Sequence, residues 1–218
     1  LVKLSIADNL YHGIISLVRD YGLGPICPNT VVVGHSSKTA EDNDDYIEML
    51  IRIFQAKKNI VIIRYPHKDI QEDDNSQPPK IESIKSFFKN TDSTELSIWW
   101  GRERRNAALS LALCYLIKSS DEWEPVNLSL KSIVSEKEDV EPAQELIAKM
   151  LKEARIDAKT KVYHSEAGRS HIFATIRKES RHDNLTFVGL LSPDLEEFEK
   201  NPQKTIKEYK EYYNSTMS

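Results

Sequence analysis

The sequence predicts an α/β protein whose sheets are mostly parallel and carry helices on both faces. Short runs of β-branched and aliphatic residues alternate along the chain with segments whose apolar residues recur at helical spacing. Several of these runs are apolar at nearly every position, which is typical of strands covered on both faces. A polar stretch over residues 68–80 divides the pattern in two. We therefore expect a three-layer, Rossmann-like architecture with two subdomains, residues 1–67 and 81–218, and a linker at 68–80.

The first subdomain is predicted to contain two helices and two strands. Apolar residues from Leu10 to Tyr21 repeat at helical spacing, with Asp8 as a candidate N-cap and Gly22 beyond the end. The next elements are a strand, a helix and a second strand, over residues 29–34, about 43–56 and 59–64. This order is a βαβ unit, which is almost always right-handed.

The second subdomain repeats the alternation. Trp99 and Trp100 are adjacent in a strand at 95–100 and must point to opposite faces, so we expect this strand to be central. A helix at about 102–118 is apolar almost all round, which predicts burial. Residues 126–131 alternate, which predicts a half-exposed strand near an edge. The remaining predicted elements are an amphipathic segment at 81–88, helices at about 141–155, 169–180 and 193–213 (the last broken at Pro202), and strands near 161–164 and 184–191.

The composition restricts the classes of partner. Acidic residues number 34 and basic residues 30, so the formal net charge is −4 and a broad surface for nucleic acid is not expected. The longest nearly apolar run, 107–117, is shorter than the roughly 20 residues that cross a bilayer, so we expect no membrane insertion. Two cysteines are too few for a disulfide framework, and we expect Cys114, in the most apolar helix, to be a buried thiol.

One basic turn is the strongest candidate for binding. The sequence Gly-Arg-Glu-Arg-Arg, residues 101–105, lies between the predicted central strand and its helix, where free backbone N–H groups bind anions. Arg102, Arg104 and Arg105 would add bidentate donors for an anion, a nucleotide or an acidic partner. Cations at a helix N-terminus oppose the macrodipole, and the chain has no glycine-rich phosphate loop. A solvated or salt-bridged surface is therefore the alternative.

No other group of residues predicts catalysis, phosphate binding or metal binding. The sequence Gly-His-Ser-Ser at 34–37 lacks the second glycine of a nucleophile elbow, and His35 directly precedes Ser36, which is the wrong geometry for a proton relay. No glycine follows Gly189, so we expect no phosphate clamp after the last strand. None of the six histidines has metal-ligand spacing: His12, His35, His67, His164, His171 and His182. We therefore predict a binding or structural module that is not an enzyme and holds neither a metal nor a cofactor.

Several segments resemble one family, in the same order along the chain. Residues 21–34 carry Gly-Leu-Gly-x-x-x-Pro-Asn-Thr ahead of a strand, as in the cytoplasmic C-terminal domain of cation-chloride cotransporters. The helix at 45–54 and the strand at 59–64 are similar to the family's next two elements. The strand at 95–100 ends in paired tryptophans as the family's does, and residues 177–193 resemble its closing helix and strand.

This resemblance implies a cytosolic regulatory and dimerisation domain of a secondary transporter that moves chloride with sodium, potassium or both. The ion sites of the family lie in its membrane part. The implied partners are the chain's own transmembrane domain and a second copy, and the implied location is the cytoplasmic side of the cell membrane. A candidate dimer surface is the aromatic C-terminal helix, although core packing is the alternative use of its tyrosines, which are Tyr209, Tyr212 and Tyr213.

The chain also departs from the family pattern. It lacks an initiator Met, a secretory leader and the family's opening strand-helix unit, so we expect it to be part of a longer protein. The short linker suggests a compact prokaryotic member. Gly-Arg-Glu-Arg-Arg replaces the Asp-Asp-Gly-Gly of animal members. Two alternatives stay open: a stand-alone nucleotide-binding domain of the universal-stress type with the three arginines of the turn near the phosphates, and a small hydrolase using Ser36 or Ser192.

Overall fold

The computed structural model describes residues 4, 6–22, 27–35, 44–64, 94–101, 105–120, 123, 125–165 and 168–217. The chain divides into two compact units, of which the first comprises Leu1–Gln71 and Leu191–Ser218 and the second comprises Glu72–Leu190. The predicted linker at 68–80 and the predicted amphipathic segment at 81–88 lie outside the described residues. In chain order the elements are α1 (Leu10–Asp20), β1 (Thr30–Gly34), α2 (Asp44–Gln55), β2 (Asn59–Ile63), β3 (Thr94–Trp100), α3 (Arg105–Lys118), β4 (Val126–Val134), a short 3-10 turn (Lys137–Asp139), α4 (Val140–Glu153), β5 (Lys159–His164), α5 (Arg169–Glu179), β6 (Leu185–Val188), α6 (Leu195–Lys200) and α7 (Pro202–Met217).

The observed elements follow the predicted order, with small shifts at their ends. α1 begins at Leu10 because Asn9, and not Asp8, is the N-cap: the Asn9 side chain accepts a hydrogen bond from the Tyr11 N–H at 2.7 Å. The C-terminal helical region is interrupted just before Pro202, as predicted, because proline suits the first turn of a new helix. The last strand, β6, is shorter than the predicted 184–191.

The core of the first unit forms around α2. Six of its residues are buried: Tyr46, Ile47, Met49, Leu50, Ile51 and Ile53. Both α1 and α7 contact α2, and β1 pairs in parallel with β2, with Val31 opposite Ile60. The structure thus assigns residues 191–218 to the first unit, whereas the sequence placed them with the second subdomain. The tyrosines of α7 explain the difference, because they pack as part of the first unit's core.

Four parallel strands form the sheet of the second unit, in the order β5-β4-β3-β6. Ser97 of β3 lies opposite Ser129 of β4 on one side and Thr186 of β6 on the other, so β3 is central as predicted. The connections through α3 and α4 lead to one side of β3, and the connection through α5 leads back to its other side. Because such connections are right-handed, α3 and α4 lie on one face of the sheet and α5 lies on the opposite face. The unit confirms the predicted parallel α/β fold with helices on both faces.

The two faces of this sheet differ in polarity. Under α3 and α4 lies an apolar core made of Leu96, Ile98, Cys114, Leu128, Leu130, Ile147, Leu151 and Val162. Trp100 packs against this core, whereas the Trp99 Nε1 donates to Ser180 Oγ at 2.8 Å on the other face, just beyond α5. The expected opposite orientation of the two tryptophans is confirmed.

Strand β4 is not the half-exposed edge strand that its alternation predicts. It lies between β3 and β5, and Lys131 is only 3% exposed. The alternation has another cause: the polar side chains of Asn127 and Lys131 make hydrogen bonds within the unit instead of with solvent. The alternation of polar and apolar residues therefore assigns the residues of β4 to the correct faces. It does not reveal that the polar face is covered by protein and not by solvent.

Helix α3 is not buried all round, although its apolar composition predicts that it should be. Cys114 on its inner side is fully buried, whereas Tyr115 and Leu116 are 70% and 65% exposed. The sheet covers one side of the helix, and in the described part of the chain the opposite side remains open to solvent. This apolar outer side has no explanation within the fold itself.

The prediction of a buried thiol at Cys114 is confirmed, and it has a chemical consequence. Burial raises the pKa of Cys114 to about 12, because the apolar surroundings disfavour the thiolate. Cys27, by contrast, is exposed. Since the thiolate is the reacting form, we expect one equivalent of thiol per chain to react rapidly with a disulfide reagent at pH 8. The second should react only when the chain unfolds, and two rapid equivalents would contradict the burial.

Candidate functional site

The basic turn singled out in the sequence lies at the end of a central strand. Arg105 is the first residue of α3, which follows the carboxyl end of β3. The order of the strands reverses between β3 and β6, and ligands of open α/β sheets bind outside the carboxyl ends of the strands at such a point. Arg102, Arg104 and the side chain of Arg105 lie outside the described residues. The turn thus occupies the part of the fold where sites commonly form.

A buried polar network, absent from the sequence-based prediction, lies on the α5 face of the sheet. The Lys131 ammonium contacts Asp183 Oδ2 at 2.6 Å and donates to the Glu179 carbonyl at 2.7 Å. The same carboxylate oxygen accepts a hydrogen bond from Ser97 Oγ at 2.6 Å, and Thr186 Oγ1 lies 3.4 Å away. One carboxylate thereby joins residues from β3, β4 and β6.

Two aromatic rings lie against this network. The Lys131 ammonium lies 5.7 Å from the centroid of the Trp99 ring, in range of a cation–π contact. The Tyr163 ring of β5 lies 5.6 Å from that of Trp99. The pKa of Tyr163 is raised, first by burial and then by the negative charge of Glu179, so its hydroxyl stays protonated at neutral pH.

Further hydrogen bonds attach the start of β6 to β3. The Glu95 N–H donates to Asn184 Oδ1 at 2.8 Å, and the Asn184 N–H donates to the Glu95 carbonyl at 2.8 Å. The Glu95 carboxylate in turn accepts from the Asn127 amide at 2.7 Å. These reciprocal bonds fix the register at the point where the strand order reverses.

The central groups of the network are buried, and they bond to one another. Ser97 and Lys131 are 0% and 3% exposed, so no substrate reaches the hydroxyl or the amine. Every buried side-chain nitrogen and oxygen among the described residues has a hydrogen-bond partner. A buried ion pair with its hydrogen bonds completed specifies one arrangement of strands, which we infer to be its role here. One feature of the sequence indicated the network. Polar residues alternate with apolar ones in β4, although the sheet is expected to be covered on both faces.

A second buried polar group lies in the first unit, at the carboxyl end of β1. Tyr213 of α7 is fully buried, and its hydroxyl lies 2.8 Å from His35 Nδ1 and 3.3 Å from the Tyr46 hydroxyl. Burial raises the pKa of Tyr213, and the Tyr46 hydrogen bond adds to the effect. His35, which the sequence placed in a polar loop, thus helps to hold the last helix, while Ser36 lies outside the described residues.

Two further tyrosines of α7 form hydrogen bonds with the backbone at Leu191, where the chain returns to the first unit. The Tyr212 hydroxyl accepts from the Leu191 N–H at 2.8 Å, and the Tyr209 hydroxyl donates to the Leu191 carbonyl at 3.0 Å. Burial raises the pKa of Tyr209. The aromatic stripe of α7 is therefore core, which removes it as the candidate dimer surface.

The described residues also include an open groove, but no cluster of metal ligands. They contain no group of three or more His, Cys, Asp or Glu that could hold a metal ion. An open groove of about 480 Å³ lies between α1 and α2, but its Arg52 is already paired with Glu48 at 2.5 Å. None of the helices in the described segments is long and apolar enough to span a bilayer.

Comparison with known proteins does not place the chain in a family. No family model matches the sequence, and no curated protein matches it at a significant level.

Proposed function

We propose that this chain is the cytosolic regulatory and dimerisation domain of a cation-chloride cotransporter, which moves chloride with sodium, potassium or both through a separate membrane part. The observation that carries the proposal is the ordered resemblance of the Gly-Leu-Gly and Pro-Asn-Thr segment at 22–30 and of the paired tryptophans Trp99 and Trp100. The proposed partners are the transmembrane domain of the same transporter and a second copy of this chain. The proposed location is the cytoplasmic face of the cell membrane.

The site chemistry is compatible with a domain that transmits a signal. The polar groups on the α5 face of the second unit are buried and mutually satisfied, and the hydroxyls of α7 are used to hold the first unit together. Each unit has its own core, so a change in their arrangement need not unfold either one. Such a rearrangement would change the rate of transport because its free energy would differ between the two states of the transporter.

Transport by the parent protein tests the regulatory role. We expect chloride uptake into vesicles to change, by about fivefold or more, when this domain is deleted from the intact transporter, because coupling energies between sites are typically 1–3 kcal/mol. Surface amount and assembly of the deleted protein serve as controls. Identical uptake rates with unchanged assembly would remove the regulatory role.

A nucleotide-binding domain is the second candidate, because the basic turn follows β3 next to the point where the strand order reverses. Binding of adenine nucleotides near Arg102, Arg104 and Arg105 would support it. Isothermal titration with ATP separates the two functions. The transporter proposal expects no heat of binding at about millimolar nucleotide, and a saturable heat that is lost in the Arg105→Glu variant would favour the alternative.

A further inference from the structure

The first unit is built from two stretches of chain that the whole second unit separates in sequence. Leu1–Gln71 forms one part and Leu191–Ser218 forms the other, with Glu72–Leu190 between them. Residues 191–217, the closing segment, contain α6 and α7. The peptide bond before Leu191 joins this segment to the second unit, so only non-covalent contacts hold it in the first unit. The same contacts form whether the segment comes from the same chain or from a second copy.

The closing segment has bonds of its own that keep it together. The Leu191 N–H donates to the Tyr212 hydroxyl at 2.8 Å, and the Tyr209 hydroxyl donates to the Leu191 carbonyl at 3.0 Å. The Lys204 ammonium of α7 lies 2.9 Å from Glu197 Oε1 of α6. These bonds join the first residue of the segment to its last helix and α6 to α7. The segment can therefore be transferred as one body.

A short connection precedes the closing segment. Gly189 and Leu190 lie in neither a helix nor a strand, between the end of β6 at Val188 and Leu191. Glycine has the widest choice of backbone conformations, so a change of dihedral angles at Gly189 redirects the segment without breaking a bond inside it. Hinges of exchanged elements are connections of this kind.

Polar contacts hold the closing segment to the rest of the first unit. The Tyr213 hydroxyl lies 2.8 Å from His35 Nδ1, after β1, and 3.3 Å from the Tyr46 hydroxyl of α2. The Lys210 ammonium lies 3.0 Å from Asp44 Oδ1, at the start of α2. All three partners belong to the stretch Leu1–Gln71. In an exchanged pair, they would be supplied by the other copy.

The aromatic side chains of the closing segment bury enough area for a stable dimer. Four of them are at most 7% exposed: Phe198, Tyr209, Tyr212 and Tyr213. A buried aromatic side chain removes about 150–250 Å² from water, so each segment contributes roughly 600–1,000 Å². Two exchanged segments thus reach the range of about 1,200–2,000 Å² that is typical of specific interfaces.

We propose that this chain dimerises by exchange of the closing segment, with α6 and α7 of each copy packed on α2 and the end of β1 of the other. The aromatic stripe of α7 is core, so a second copy reaches it only by exchange. This inference rests on the dimerisation part of the proposed function, to which it adds the mechanism. Because exchange requires the core of the first unit to open, monomer and dimer should interconvert slowly in the absence of denaturant.

Chemical cross-linking of isotope-labelled chains tests the exchange. Chains grown on ordinary and on heavy nitrogen are mixed in urea and refolded together, and monomer and dimer are separated. A carbodiimide then joins the Lys210 amine to the Asp44 carboxylate as an amide and takes up the released water to become a urea. In the dimer, we expect about half of these cross-linked peptides to pair a heavy partner with a light one.

The same sample contains the control. The amide between Lys204 and Glu197 forms within the closing segment, so its two peptides should always carry the same isotope. In the monomer, the peptides that contain Lys210 and Asp44 should also match. A dimer in which every cross-link between Lys210 and Asp44 joins peptides of the same isotope would overturn the exchange.

Charge reversal gives an independent test. Asp44→Lys in one chain and Lys210→Asp in another each place like charges at the contact between α2 and α7. When the two variants are refolded together, exchange between them restores opposite charges at both contacts. Native mass spectrometry should show the mixed dimer about threefold or more above its statistical proportion to the two like dimers. Helical circular dichroism establishes that each variant folds.

A second pair of variants is the matched control. Lys149→Glu and Glu153→Lys change an exposed ion pair that lies within α4, so exchange of the closing segment does not affect it. These two variants should form mixed and like dimers in statistical proportion. A mixed dimer that is no more abundant for the first pair of variants than for the second would contradict the exchange.

These experiments separate failure of the exchange from failure of the proposed function. A dimer whose cross-links between α2 and α7 all stay within one copy overturns the exchange and leaves dimerisation intact. A chain that stays monomeric after refolding at about 1 mM overturns both the exchange and the dimerisation role. Uptake by the intact transporter is measured independently, so the regulatory role has its own test.

Discussion

Replacement of Asp183 by alanine is expected to destabilise the second unit by about 3–5 kcal/mol, because it leaves the Lys131 ammonium buried and unpaired. Lys131 is 3% exposed, and this carboxylate is 2.6 Å from its Nζ. The same oxygen accepts from Ser97, so a second buried group also loses one of its two hydrogen bonds. Few other single substitutions in the second unit would lower its free energy of unfolding as much.

Tryptophan fluorescence during urea unfolding measures this effect in the second unit. All three tryptophans, Trp99, Trp100 and Trp123, fall within Glu72–Leu190. Lys149→Ala is a control, because its ion pair with Glu153 is exposed and spans 4.0 Å, and we expect little change. Lys131→Met added to Asp183→Ala should recover much of the loss, since no charge then remains buried. A loss below about 1 kcal/mol would show that the pair does not hold the unit.

Replacement of Tyr213 by alanine is expected to destabilise the first unit by about 3–5 kcal/mol, because it opens a cavity against α2 and removes the hydroxyl between His35 and Tyr46. Tyr213→Phe keeps the ring and should cost only about 1–2 kcal/mol. The difference between the two variants separates packing from hydrogen bonding.

Hydrogen exchange of the α2 amides measures the effect where it arises. These amides belong to the most buried helix of the first unit, so their protection reports its opening free energy. Tyr115→Ala is the matched control, because that tyrosine is 70% exposed and belongs to the second unit. Equal α2 protection in Tyr213→Ala and Tyr115→Ala would contradict the role of Tyr213.

Hydrophobic periodicity was sufficient to predict the order of elements and the parallel sheet. The adjacent Trp99 and Trp100 were the most informative pair, because alternation across a pleat places them on opposite faces and makes β3 central. Helix ends were less predictable: α1 starts after Asn9 since its side chain caps the Tyr11 N–H, and Asp8 offered the same chemistry one residue earlier.

Contacts between distant residues were not predictable. Lys131 and Asp183 are 52 residues apart, and alternation in β4 looks the same whether its polar face meets water or a buried carboxylate. His35 and Tyr213 are 178 residues apart, so nothing local indicates that α7 returns to the first unit. Of the candidate site, the sequence indicated the basic turn and missed the buried network on the α5 face.

The outer face of α3 illustrates a different limit of sequence patterns. Its apolar residues predict that Tyr115 and Leu116 are covered, and the structure shows that they are exposed. Composition does not distinguish a face covered by the same chain from one covered by a partner.

The coding sequence upstream of Leu1 tests the central proposal most directly. If this chain regulates a chloride-coupled transporter, the reading frame continues upstream through about ten to twelve apolar segments, each long enough to cross a bilayer. Determination of the full-length transcript and of the mass of the native protein gives the answer. A start codon immediately before Leu1, with a native protein no larger than these 218 residues, would contradict it.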